Sequence, residues 1–126
     1  MNRKILIIGV GGIGSFLVST LDKVGIYNIS VADPDIVESK NLTYQNFSKG
    51  HVGQNKASVI MDSYDSVTSF SKYPILTAKQ MQGYDLVICC VDNLSVRQVA
   101  IAGLGAQWIQ RYMNDEKVRE YMVVNV

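Results

Sequence analysis

The sequence predicts an α/β fold, a Rossmann-like doubly wound sheet of mostly parallel strands with helices on both faces. Three observations predict it. Apolar runs of strand length alternate with stretches of helical spacing, the pattern of β-α-β units. The first run, Lys4–Ile8, is continuously apolar after its lysine, as a strand buried on both faces must be. A glycine-rich turn, Gly9 to Gly14, joins that run to the first helical stretch. The 126 residues suit one domain, expected to span 1–126.

The elements follow in order. After Lys4–Ile8, Phe16, Leu17, Leu21 and Val24 recur at helical spacing from Gly12 to Val24, and Gly25 is a natural stop. Asn28–Ala32 reads as a second strand, closed by Asp33-Pro34-Asp35. Residues 36–53 read as a long loop with one turn of helix, and Gln54–Tyr64 as a second helix. Tyr73–Ala78 is expected to be the third strand, Leu86–Cys90 the fourth and Tyr121–Val126 the last. Leu94–Tyr112 reads as a long helix weakened by Gly103 and Gly105. In such a fold the ligand crevice lies beyond the carboxyl ends of the strands. Gly9, Asp33 and Asp92 each follow a strand, so all three belong on one rim.

Composition excludes several function classes. Twelve basic and eleven acidic residues leave a net charge of +1, with no broad basic face for nucleic acid and no polybasic membrane anchor. The apolar runs break far short of the ~20 residues that cross a bilayer. Cys89 and Cys90 are adjacent and alternate in direction on a strand, a poor disulfide pair. Nothing points to an oxidising compartment, so a cytoplasmic location is expected. One histidine, His51, and no spaced C-x-x-C give no zinc pattern. His51 reads as an exposed loop residue, and the two cysteines as core.

Gly9-Val10-Gly11-Gly12-Ile13-Gly14 is G-x-G-x-x-G in the strand–turn–helix context that gives the motif meaning. Glycines let backbone approach a phosphate, and the helix N-terminus offers it free N–H groups and positive dipole. Asp33, nineteen residues after Gly14, suits a ribose hydroxyl and would repel a 2′-phosphate. Asp35 fits a turn or the site equally well. To this point a nicotinamide-cofactor domain and an ATP-binding domain are equal readings.

The next residues separate them. Asp33-Pro34-Asp35-Ile36-Val37 leads to Asn41-Leu42-Thr43-Tyr44-Gln45, then Val52-Gly53-Gln54-Asn55-Lys56, then Asp92-Asn93 with Arg97. This ordered set, over about residues 3–100, resembles the ThiF/MoeB-like adenylyltransferases, the family of the ubiquitin-activating enzymes. Their pattern is G-x-G-G-x-G, D-x-D-x-V-x-x-x-N-L-x-R-Q, V-G-x-x-K and D-N-x-x-x-R. The resemblance implies Mg-ATP as cofactor and, as partner, the C-terminal carboxylate of a ubiquitin-like or sulfur-carrier protein, adenylated with release of pyrophosphate. It also implies a homodimer or a complementing subunit. By the same resemblance Gly9, Gly11, Gly12 and Gly14 surround the phosphates and Asp33 holds the ribose, while Asp35 counts among the nucleotide-binding residues. Asn41 and Gln45 line the phosphate site, and Lys56 neutralises phosphate charge as a catalytic residue. Asp92 is the second catalytic residue and the magnesium ligand, a carboxylate suited to a hard cation. Asn93 and Arg97 complete the nucleotide-binding set.

Three departures are visible. Tyr44 stands where the family has an arginine, and tyrosine brings a hydroxyl without charge. The sequence begins at the first strand, where relatives have a preceding helical segment. It stops at about the end of a fifth strand, before the half that cradles the partner's tail and carries zinc ligands. A nucleotide-binding half is therefore expected. A non-catalytic scaffold is the alternative, and an NAD-binding regulatory domain a further one.

Overall fold

A computed structural model describes residues 3–91 and 120–123. The strand Arg3–Ile8 (β1) leads to the helix Gly12–Val24 (α1), then Tyr27–Ala32 (β2), Lys56–Ser63 (α2), Val67–Ser71 (β3), Leu86–Cys89 (β4) and Glu120–Val123 (β5). The strands form one parallel sheet in the order β3-β2-β1-β4-β5. The order reverses at β1, so the switch point lies between β1 and β4.

Alternation along β1 serves two cores, which is why its sequence is apolar at every step from Ile5 to Ile8. Ile5 and Ile7 face a cluster containing Val18 of α1 and Val59 and Ile60 of α2. Leu6 and Ile8 face the other side, with Ala32, Ile75, Met81, Val87 and Cys89. Helices α1 and α2 therefore cover one face. The segment after β3, with a 3-10 turn at Ala78–Met81, covers part of the other.

Helix α1 has the bounds its sequence predicts, and Gly25 ends it in a left-handed conformation, donating to the Leu21 carbonyl. Residues 36–53 are a loop with two 3-10 turns, Ser39–Thr43 and Lys49–His51. The loop is anchored by buried Val37 and Phe47 and by the bridge Ile36–Asn55.

The third strand differs from expectation. It is Val67–Ser71, and Tyr73–Leu76 lies beyond it. Val67 is buried and the next three residues are exposed, so this edge strand lacks the apolar signature. Pro74, with no N–H to donate, argues against a strand at 73–78. His51 is half-buried, not exposed: its Nδ1 accepts from the Ser48 N–H at 3.0 Å, and its ring meets Phe47 edge-on. Cys89 and Cys90 are buried, as expected. The helix expected over Leu94–Tyr112 lies outside the described residues. Among the described residues no helix is long and apolar enough to cross a membrane.

Candidate functional site

The register of the sheet builds the site. Ile8 pairs with Ala32 on one side and with Cys89 on the other. The residues that follow, Gly9, Asp33 and Cys90, thus emerge side by side. Gly9 N–H donates to the Ala32 carbonyl at 2.8 Å, and Cys90 N–H to the Ile8 carbonyl at 2.7 Å.

Two glycines are required by close approach. Gly14 sits against the start of its own turn: a Cβ there would lie 1.9 Å from the Gly9 carbonyl oxygen. Gly9 has φ +89°, and a Cβ would meet Val91 Cγ1 at 2.6 Å. The switch point is therefore closed so tightly that only backbone fits. Gly11 and Gly12 open onto the cleft, with Gln45 and Tyr44 as their neighbours across it. No side chain caps α1, so its first-turn N–H groups remain available.

Asp33 has a double task. It is 5% exposed, and its Oδ2 accepts from Val10 N–H at 2.9 Å while Oδ1 accepts from Asp35 N–H at 2.9 Å. Burial pushes its carboxyl above the usual aspartate value. The amides of Asp35 and Val10 pull it back, the Asp35 charge adds to the rise, and Lys56 opposes it. Each carboxylate oxygen keeps an acceptor site beyond these bonds.

The loop supplies two amides. Asn41 is buried, and its Oδ1 accepts from Glu38 N–H at 2.8 Å while Nδ2 donates to the Tyr44 hydroxyl at 3.2 Å. Its amide is thus largely committed to shaping the loop. Gln45 differs. It is 8% exposed, and its Oε1 has no hydrogen-bond partner among the described residues. A buried, unpaired acceptor costs about 1–3 kcal/mol, so the amide is poised for a group that donates.

Lys56 is the first residue of α2 and is 6% exposed. No carboxylate pairs with it within 4.0 Å among the described residues. A buried ammonium is rarely left unpaired, and this one faces the same cleft as the glycine turn.

That cleft, of about 770 Å³, joins Gly9, Gly11, Gly12, Asp33 and Asp35 to Asn41, Gln45 and Lys56. Eight of the expected residues therefore meet, and Gly14 packs beneath them. Asp92, Asn93 and Arg97 lie outside the described residues. Sequence reasoning missed the apolar wall of the cleft, made by Ile8, Ala32, Tyr73, Pro74, Ile75 and Val91. The ends of β1 and β2 could have signalled Ile8 and Ala32. Tyr73–Ile75 carry a strand-like pattern in sequence, which hides this role. It also missed a tie: Ser15 Oγ donates to the Gly11 carbonyl and accepts from Asn46 N–H at 3.1 Å, joining α1 to the loop. No group of three or more His, Cys, Asp and Glu that could hold a metal is present among the described residues. Burial pushes the Cys90 thiol up to about 11, with Cys89 adding to it, so the thiol stays protonated at neutral pH.

Amide donors, an uncapped helix and a buried cation on one side, with an apolar wall on the other, can take a ligand with an anionic end and a flat apolar end. The chain is 32% identical over 108 residues to SUMO-activating enzyme subunit 2 of Dictyostelium discoideum, covering 75% of this chain and 16% of that one. It is 30% identical over 114 residues to molybdopterin-synthase adenylyltransferase of Escherichia coli K12, covering 81% and 45%. The chain thus spans less than half the length of either relative. In fold it is similar to E. coli tRNA N6-threonylcarbamoyladenosine dehydratase, TcdA, solved in complex with ATP: the TM-score is 0.72 at 23% identity, covering 96% of this chain and 50% of that one. The ThiF family model matches residues 1–103. A match of that extent, over most of the chain, makes this chain a member of the ThiF family.

Proposed function

We propose that this chain is the nucleotide-binding part of an ATP-dependent adenylyltransferase that activates the C-terminal carboxylate of a ubiquitin-like or sulfur-carrier protein. The observation that supports it most is the joining, in one cleft, of an uncapped glycine-turn helix, an orphaned buried amide oxygen and a buried lysine. This set fits ATP. The turn and Lys56 suit the phosphates, Gln45 presents an acceptor, Asp33 and Asp35 suit the ribose, and the wall of Ala32 and Ile75 suits the base.

In this reading an oxygen of the partner's carboxylate attacks the α-phosphorus. The bond to the β-phosphate oxygen breaks, and pyrophosphate leaves with the electron pair. Both reactants are anions, so the protein's part is positioning and charge neutralisation. Lys56 holds positive charge against the phosphates, and the α1 N–H groups add to it. Asp92 would hold magnesium, which supplies further neutralisation when bound, and Asn93 and Arg97 complete the nucleotide-binding set. Residues 1–126 act as a single nucleotide-binding domain, completed by a homodimer partner or another subunit. Two buried cysteines kept as thiols fit a reducing compartment, the cytoplasm.

One observation favours a second reading, a relative that does not catalyse. Tyr44 stands at the family's arginine position, and its hydroxyl is tied to Asn41. Titration calorimetry with Mg-ATP on wild type, Lys56→Ala and Asp92→Ala tests the proposal, with NAD in parallel. Binding markedly weakened in both variants supports it, and pyrophosphate exchange with a candidate partner then separates catalysis from binding alone. Absence of ATP binding sinks the proposal, and binding of NAD alone replaces it with the dinucleotide reading.

A further inference from the structure

Asn55 lies just outside the cleft and has no part in the function proposed above, yet three of its side-chain bonds converge on the site. Its Nδ2 donates to the Asp33 carbonyl at 2.8 Å and to the Asp35 carbonyl at 3.2 Å. Its Oδ1 accepts from Ser58 N–H at 3.0 Å and so caps α2. The next residue is Lys56, whose own N–H donates to the Asp35 carbonyl at 2.9 Å. One amide thereby fixes the acidic turn after β2 and the start of the helix that carries the buried ammonium.

We propose that Asn55 is a positioning residue: it sets Lys56 in the cleft by tying the N-terminus of α2 to the Asp33–Asp35 turn. The physical reason is the length of α2. Its eight residues are too few to hold a helix unaided. Packing of Ala57, Val59 and Ile60 fixes its far side. The end that bears Lys56 is fixed by the cap, by the backbone bond from Lys56 N–H to the Asp35 carbonyl and by the two bonds from Nδ2. Without the Nδ2 bonds, that one backbone bond and the Ile36–Asn55 bridge would hold the end against the acidic turn. The two donors add the tie to the Asp33 carbonyl and a second one to Asp35, and the asparagine amide supplies two donors and the capping acceptor together. Asp33 in turn holds Val10, so the glycine turn, acidic turn and lysine form one connected frame. The consequence for ligand binding rests on the nucleotide reading above. The consequence for Lys56 does not.

The test uses Asn55→Ser, which keeps a capping acceptor and replaces the two amide donors with a single shorter hydroxyl that cannot serve both carbonyls. Asn55→Asp also keeps the cap and serves if the serine variant is poorly folded. The first readout is the acetylation rate of Lys56 in the ligand-free protein, by mass spectrometry, against exposed Lys40 and Lys49 as internal references. A rise of about fivefold or more at Lys56, with the references unchanged, is expected from loss of a coupled contact. An unchanged Lys56 rate in folded protein overturns the proposal. The second readout is a double-mutant cycle on Mg-ATP affinity. Asn55→Ser weakens binding roughly tenfold in wild type and has no further effect in Lys56→Ala, the pattern of a residue acting through another. Equal weakening in both backgrounds would show a general structural role and overturn the proposal. Absence of Mg-ATP binding in wild type refutes the nucleotide reading instead, and the acetylation rates still decide the role of Asn55.

Discussion

The carboxylate of Asp33 accepts a hydrogen bond from the backbone N–H of Val10 at 2.9 Å, so the residue that follows β2 holds the turn that follows β1. The bond is buried and spans two strands. It makes the acidic turn part of the scaffold of the glycine turn, beyond any contact with a ligand.

This has a pH consequence. The Asp33 carboxyl is raised above 3.8 by burial. A raised acid binds its proton more tightly folded than unfolded, so its contribution is fully present below 3.8 and is lost as pH rises through the folded value. Denaturant unfolding of wild type and Asp33→Asn across this range should show the stability difference shifting in favour of asparagine as pH rises. The other carboxylates cancel in that difference. A pH-independent difference would contradict the burial argument.

Gly14→Ala should be severe. The added Cβ would meet the Gly9 carbonyl oxygen at 1.9 Å, and that oxygen belongs to backbone fixed by the sheet. A loss of at least about 2 kcal/mol in unfolding free energy is expected, at the upper end for overpacking. Alanine at Gly53, where nothing lies within 4 Å, should cost less and only through its positive φ.

Gln45→Met should separate stability from binding. The change conserves volume approximately and removes a buried oxygen that lacks a partner among the described residues. Thermal unfolding without ligand should hold steady or rise, and Mg-ATP affinity should fall about tenfold, near the value of one hydrogen bond. A lower melting temperature with unchanged affinity would assign the amide to the scaffold.

Cys90 should resist alkylation. Burial holds its thiol protonated up to about pH 11, and Cys89 is fully buried beside it. Iodoacetamide at pH 8 should modify neither cysteine in the folded protein and both in denaturant. Rapid modification of folded protein would mean that the end of β4 opens readily.

The sequence by itself determined the elements whose signals are local. Residues Ile5–Ile8 are apolar at every step because both faces of β1 are buried there, and that signature needs no knowledge of neighbours. Helix α1 was readable from its spacing and from Gly25, which ends it. The ordered motifs located the glycine turn, Asp33, Gln45 and Lys56, because such chemistry demands particular residue types. Tertiary structure alone decided the third strand: Val67–Ser71 is strand because it pairs with β2, although most of its side chains face solvent. It also decided that Tyr73–Ile75 wall the cleft, that Asp33 braces Val10, and that Asn55 links the acidic turn to Lys56. These contacts join residues far apart in the chain. Spacing along a sequence reports which face a residue occupies, and only the pairing of strands reports what stands opposite it.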